Sequence, residues 1–227
     1  MMFFPGWWLL IPGMLLMFWA QSRVQGTFNE YSRYRARLGM PGAEVARRIL
    51  DRHGLHQVAV EVVPGVLSDH YDPSAKAVRL SEGNYYSNSI AAVAVAAHEV
   101  GHALQDANGY ALMNVRAALA PVAGIGSTVG PWLVLGGLLF NIGGGFLVNL
   151  GILLFLGALL FHVVTLPVEF DASHRALAIV DRLGILQGEE RDGARKVLTA
   201  AAWTYVATTL YAALQLVQLL WLREQDG

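Results

Sequence analysis

Two histidines and a glutamate lie close together in an alanine-rich stretch of this 227-residue chain. Residues 90–105 read IAAVAVAAHEVGHALQ, a composition dominated by good helix formers. His98 and His102 are four positions apart, so a helix places both imidazoles on one face, where they could bind one zinc ion. Glu99 could then accept a proton from a zinc-activated water molecule. This HExxH pattern predicts a zinc peptidase site with Glu99 as the catalytic base.

A catalytic zinc site needs a third protein ligand and an open fourth position. Glu169 is the first ionisable residue after the long uncharged segment that follows the histidines. It lies in residues 167–173, where we expect a new helix to begin, and we favour it as the third ligand. Asp171 is the rival, and His70 and His174 are weaker alternatives. The simpler interpretation is that Glu169 only complements the N-terminus of that helix.

Other polar residues could support the same chemistry. Ser173 lies one helical turn after Glu169 and shares its face, so it could orient a zinc ligand. Peptide hydrolysis forms an oxyanion that needs a donor besides zinc. His70, Tyr71 and His174 are the candidates for that donor, and surface or packing roles are the alternative for each.

Three stretches of the chain contain no Asp, Glu, Lys or Arg: residues 1–22, 117–168 and 197–222. They make up close to half of the sequence, whose mean hydropathy is +0.43. Such a composition excludes disorder and a purely soluble enzyme. The chain has no cysteine, which excludes a disulfide framework and a thiolate metal site. Its net charge of −1 provides no basic field for nucleic acid.

The uncharged stretches predict about four transmembrane helices, since about 20 apolar residues cross a bilayer. The first is an anchor in residues 1–22, with a cleaved signal peptide as the alternative. Residues 117–167 predict a transmembrane hairpin, with its turn at the glycine-rich residues 141–145. Residues 201–227 contain the last helix, for which an interfacial position is the alternative because two glutamines interrupt it.

Four spans place residues 23–116 and 168–200 on the same side of the membrane. These two segments contain ten and five of the sixteen Lys and Arg residues, and only Arg223 remains for the other side. The positive-inside rule therefore predicts that both segments face the cytoplasm. The hairpin thus returns Glu169 to the side of the two histidines.

The cytoplasmic segment before the hairpin has short amphipathic elements. Residues 41–53 have helical spacing of apolar side chains, with Pro41 at the start and Gly54 as a stop. Residues 56–63 and 76–80 predict strands, and the second could offer its edge to an extended substrate. The expected fold class is therefore a mainly α integral membrane protein with a small α+β, zincin-like cytoplasmic part that carries the HExxH helix.

Several motifs, in the same order, resemble the YugP-like neutral zinc metallopeptidases of bacterial membranes. They include SDHYDP at 68–73, AAHEVGHALQ at 96–105 and LPVEFDAS at 166–173, and the similarity covers nearly the whole chain. The resemblance implies a membrane-bound, zinc-dependent endopeptidase. A more distant similarity is to the HtpX and CAAX-processing membrane proteases, which place a hairpin between HExxH and a Glu ligand, matching Glu169. The motif of those proteases has an Asp four residues after that Glu, at the position where this chain has Ser173.

The sequence thus predicts a gluzincin-like zinc metalloendopeptidase with one Zn²⁺ per chain, bound by His98, His102 and Glu169. Glu99 would act as the general base. Its expected partners are polypeptide substrates, chiefly membrane proteins, the lipid bilayer, and a membrane partner or a second copy, with no nucleic acid. The expected location is the bacterial inner membrane, multi-pass, with the active site facing the cytoplasm. The alternative is a non-proteolytic membrane scaffold or partner-binding protein with a structural or vestigial zinc site.

Overall fold

The computed structural model describes residues 6–140 and 145–225 and is mainly helical with one small sheet. A 3-10 turn at Trp7–Leu10 comes first. The longer elements are then α1 (Ile11–Tyr31), α2 (Gly42–Arg52), β1 (Ala59–Val63), β2 (His70–Asp72), β3 (Ala77–Ser81), α3 (Glu82–Tyr85), α4 (Ile90–Ala107), α5 (Ala111–Phe140), α6 (Phe146–Arg182) and α7 (Glu189–Gln225). The expected class, mainly helical with a small α+β part, is confirmed at this level.

The chain divides into two compact units. The described residues of Met1–Gln21, Ala111–Pro167 and Trp203–Gly227 form one, which we call the apolar unit. Ser22–Tyr110 and Val168–Ala202 form the other, which we call the site unit.

Three helices of the described chain, α5, α6 and α7, are long and apolar enough to cross a membrane. The length and composition of α7 favour a span over an interfacial helix. Helix α1 is not among the three, so the fourth span stays a prediction. Helix α5 ends at Phe140 and α6 begins at Phe146. The turn predicted at 141–145 lies outside the described residues, apart from Gly145 with its φ of +83°.

Glycines bring α5 and α6 together inside the apolar unit. A Cβ atom on Gly130 would lie 2.9 Å from the carbonyl oxygen of Gly151, and one on Gly151 would lie 2.5 Å from that of Gly130. Such close backbone approach is typical of helix pairs in membranes. The apolar core beside this contact consists of Val134, Val148, Phe155, Ala212 and Leu219.

Helix α6 runs without interruption from Phe146 to Arg182, so the prediction of a new helix beginning at residues 167–173 is wrong. Pro167 lies inside the helix, where it removes one backbone hydrogen bond while its fixed φ remains helical. The helix therefore continues through it on both sides. Glu169 consequently lies in the interior of α6, and the interpretation that it complements a helix N-terminus is also wrong.

The site unit contains a three-stranded sheet with β3 in the middle, parallel to β1 and antiparallel to β2. The strand predicted at residues 76–80 therefore has no free edge, and its proposed pairing with a substrate is wrong. The sequence did not reveal the second partner of this strand, β2, because β2 has only three residues and shows no periodicity of its own. Between these strands, Asp72 Oδ1 accepts hydrogen bonds from the backbone N–H groups of Ser74 and Ala75.

Two helices of the site unit carry the local signals expected of them. Helix α2 follows Pro41, and Gly54 adopts a φ of +73° just after its end, as predicted. Helix α4 begins at Ser89, whose side chain accepts a hydrogen bond from the N–H of Ala92. It packs against α2, α3 and the sheet, and nearly all of its residues are buried. The two histidines therefore lie on a helix that its surroundings hold firmly.

Candidate metal centre

Side chains from α4 and α6 converge on one point in the site unit. The Nε2 atoms of His98 and His102 lie 3.2 and 3.5 Å from Oε2 of Glu169. One ligand atom from each residue lies within 4.8 Å of the others. Among residues 6–140 and 145–225, this is the one such group of three. Two imidazole nitrogens and one carboxylate oxygen match the His₂Glu donor set of catalytic zinc sites, so these residues fit the metal.

The carboxylate of Glu169 is almost wholly buried, with 2% of the residue exposed. Burial alone would raise its pKa, but hydrogen bonds from His102 and His98 outweigh burial and hold that pKa well below its usual range. Burial also opposes charge on His102, yet Glu169 and Glu99 raise the pKa of that imidazole overall. A buried, ionised carboxylate beside two imidazoles is suited to binding a cation.

Glu99 lies next to the first histidine on α4 and is 8% exposed. Within the part of the chain that the structure describes, no donor forms a hydrogen bond or salt bridge with its carboxylate. Burying a carboxylate without such a partner is costly. A group kept in this state remains available to accept a proton from a bound molecule.

Each histidine has a hydrogen-bond partner on the ring nitrogen that faces away from Glu169. Ser173 Oγ lies 3.1 Å from Nδ1 of His98, as its spacing from Glu169 predicted. Oε1 of Gln105 lies 2.9 Å from Nδ1 of His102. Where Nδ1 is protonated and bonded outward in this way, Nε2 is the nitrogen available to bind a metal.

Gln105 was missed by the sequence interpretation. It is fully buried and donates from Nε2 to the carbonyl oxygen of Val168 and to Oδ2 of Asp171, each at 2.8 Å. Arg175 Nε donates to the same Asp171 oxygen at 2.6 Å. The signal was present in the chain, because Gln105 is three residues after His102, on the same helical face, in an otherwise apolar helix.

Asp171, the rival ligand, lies outside the group of three. Its carboxylate is bound instead to Arg175 and Gln105. Burial tends to raise the pKa of Asp171, but the hydrogen bonds from Arg175 and then Gln105 lower it overall.

Gly101 allows the two helices to approach each other at the site. A Cβ atom at this position would lie 2.6 Å from the carbonyl oxygen of Ala172 on α6. Real Cβ atoms essentially never come so close to a backbone oxygen. Gly101, the second variable position of the HExxH pattern, is therefore restricted by its packing against α6.

The three residues considered as oxyanion donors do not join this group. The Tyr71 hydroxyl donates to Oδ2 of Asp106 at 2.6 Å, and burial followed by that carboxylate raises the pKa of the phenol. Tyr71, one of the three candidates for that donor, instead directs its proton to Asp106. His70 is exposed and its Nδ1 contacts the carbonyl oxygen of Ser68. His174 is likewise absent from the group of potential ligands among the described residues.

Comparison with known proteins gives consistent matches. A family model described as "Putative neutral zinc metallopeptidase" matches residues 6–224. The "Putative membrane protease YugP" of Bacillus subtilis (strain 168) is 49% identical over 210 residues, which is 92% of each chain. No solved structure matches. The two matches confirm the resemblance inferred from the motifs.

Proposed function

This chain belongs to the neutral zinc metallopeptidase family, and from that premise we propose that it is an integral-membrane zinc endopeptidase. The observation that carries the proposal is the convergence of His98, His102 and Glu169 beside Glu99. The family, which implies zinc, and the buried His₂Glu group support this proposal independently of each other. No observation favours the scaffold alternative.

In the proposed site, His98 and His102 would hold zinc through Nε2, and Glu169 would hold it through a carboxylate oxygen. When bound, zinc supplies Lewis acidity, which lowers the pKa of water and polarises a substrate carbonyl. Three protein ligands would leave one position open, as in catalytic rather than structural zinc sites.

Glu99 moves the proton in this mechanism. Its carboxylate accepts a proton from the attacking water and then donates it to the nitrogen of the leaving amine. Among the described residues no donor is bonded to this carboxylate, which suits both steps, because no such bond must break first. Burial of the surrounding helix lowers the local dielectric and strengthens these electrostatic interactions.

The proposed substrates are polypeptides of the membrane or near it. Three helices that could span a bilayer support a membrane location, as does the name of the Bacillus relative. The distribution of Lys and Arg, with only Arg223 beyond the predicted cytoplasmic segments, supports an active site facing the cytoplasm.

The test is to compare cleavage of an unfolded polypeptide by the zinc-loaded wild-type chain and its Glu99→Gln variant in detergent or nanodiscs. We expect Glu99→Gln to bind one zinc ion but to lose a factor of about 10²–10⁴ in kcat/KM. Glu44→Gln, on the exposed surface of α2, is the matched control and should retain activity. Equal cleavage by Glu99→Gln and wild type would refute the mechanism, and zinc binding without any wild-type cleavage would favour the scaffold alternative.

A further inference from the structure

The side-chain amide of Gln105 has a forced orientation. Its two neighbours on one side, the Val168 carbonyl and the Asp171 carboxylate, both offer acceptor atoms. An acceptor requires a donor opposite it, so the NH₂ group must face them. Arg175 donates to the same Asp171 oxygen and keeps it in place.

This orientation determines which ring nitrogen of His102 carries a proton. With its NH₂ group turned to α6, Gln105 presents only its oxygen to Nδ1 of His102, at 2.9 Å. An oxygen acceptor needs a proton on Nδ1, so Nε2 is the nitrogen that must give up its proton for a metal to bind. That nitrogen faces Glu169.

His98 is held in a different way. Its Nδ1 contacts the hydroxyl of Ser173, and a hydroxyl can rotate to donate or to accept. Ser173 therefore positions the His98 ring without selecting its tautomer. The two histidines look equivalent in the sequence, but only His102 has a partner of fixed polarity.

We propose that Gln105 and Asp171 are positioning residues, in which Asp171 orients the Gln105 amide and Gln105 thereby holds His102 in the tautomer that binds metal through Nε2. This inference deepens the proposed function and rests on it in taking His102 as a zinc ligand. It also gives Asp171 a role at the site that needs no direct contact with metal.

The first measurement is zinc affinity, determined on the full-length detergent-solubilised chain by competition with a chelator. Gln105→Leu keeps the side-chain volume but removes the acceptor, and we expect about a 10- to 100-fold loss of affinity. Gln105→Glu retains an acceptor for Nδ1–H but loses the donor to Val168 and Asp171, so it should recover only part of that loss. Asn84→Leu is the matched control, because Asn84 is also buried and hydrogen-bonded, but to Asp69 rather than to a histidine.

The second measurement follows the Nδ1–H group of His102 by ¹H–¹⁵N NMR of the zinc-loaded chain. We expect a protected signal in the wild type that shifts and exchanges faster in Gln105→Leu, while the corresponding His98 signal stays unchanged. Asp171→Ala should move the same signal and weaken zinc binding by a smaller factor, because Val168 still holds the amide. This variant lies at a partly exposed position and decides the question if Gln105→Leu fails to fold.

Unchanged zinc affinity and an unchanged His102 signal in Gln105→Leu, or in Asp171→Ala where the leucine variant does not fold, would overturn the inference. A loss of affinity in Asn84→Leu as large as in Gln105→Leu would also overturn it, because the effect would then be general destabilisation. Neither readout uses peptide cleavage. Failure of the Glu99→Gln test would therefore count against the proposed function alone.

Discussion

The candidate metal centre has two halves that the sequence encodes in different ways. On α4, His98, Glu99 and His102 lie within five consecutive residues, and one turn of helix brings the histidines together. Glu169 lies on α6 and is separated from the two histidines in the sequence by the whole of α5 and the uncharged part of α6. Local periodicity is therefore sufficient to recognise the first half, whereas the second half exists only through tertiary packing.

The halves also differ in how tightly their surroundings constrain them. Helix α4 is buried on nearly every face, with Ser89 at its start and Tyr71 and Lys76 bonded to Asp106 near its end. Its contact with α6 instead depends on Gly101, where no side chain intervenes. A chain can thus preserve a motif within a helix and still lose the site if the second helix moves.

Removal of a ligand from either half should have the largest effect. We expect His102→Ala and Glu169→Ala each to lower zinc affinity by about 10³-fold, since each of three ligands supplies a comparable share of the binding free energy. Chelator competition measures both values, and Asp171→Ala, which removes a nearby carboxylate outside the group, should lose about tenfold or less. If Glu169→Ala binds zinc as tightly as the wild type, α6 contributes no ligand.

Disruption of the contact between α4 and α6 should have the second largest effect. Gly101→Ala places a Cβ against the backbone of Ala172, and we expect it to cost about 1–3 kcal/mol of unfolding free energy and to weaken zinc binding. Gly83→Ala is the control, because a Cβ at Gly83 meets nothing within 4 Å. Thermal unfolding and zinc titration of both variants provide the measurement. Equal behaviour of the two variants would show that the helices do not need this close approach.

The smallest effect is expected at the far end of α4, where Asp106 bonds to Tyr71 and Lys76. Burial tends to raise the Asp106 pKa, but Lys76 and Tyr71 lower it below the ordinary value of 3.8. The stabilisation is therefore complete above that value and is lost as pH falls through the lower pKa of the folded chain.

The measurement is thermal unfolding of the wild type and Asp106→Asn at several pH values. Asp106→Asn should lower stability by about 1 kcal/mol at neutral pH, and the difference should shrink below about pH 4. Asp181→Asn, in an exposed ion pair with Arg191, is the control and should show a smaller difference. A constant gap between wild type and Asp106→Asn across the acid range would contradict this assignment.

The sequence was most informative where function depends on neighbouring residues or on composition. Alanine-rich residues predicted a helix through both histidines, and α4 spans Ile90–Ala107. The long uncharged segments indicated membrane helices, of which three meet the length and hydropathy expected of spans. The spacing of Ser173 from Glu169 also predicted that the two side chains lie on the same face of the helix. Ser173 indeed contacts His98.

The errors arose where long-range packing overrides a local signal. Pro167 has the local signal of a helix start, but the loss of one backbone hydrogen bond does not end the long helix in which it lies. The strand at residues 76–80 was expected to offer an edge, because β2, with only three residues, is too short to recognise in the sequence. Gln105 passed unnoticed because its importance lies in contacts with Val168 and Asp171, distant in sequence.

The coordination of zinc in the loaded chain tests the central claim most directly. Zinc-edge X-ray absorption, or anomalous diffraction from crystals, counts and identifies the ligands. We predict one zinc ion bound by Nε2 of His98, Nε2 of His102 and a carboxylate oxygen of Glu169, with one further position not filled by protein. Four protein ligands, or a zinc ion bound away from these three residues, would contradict a catalytic centre built from α4 and α6.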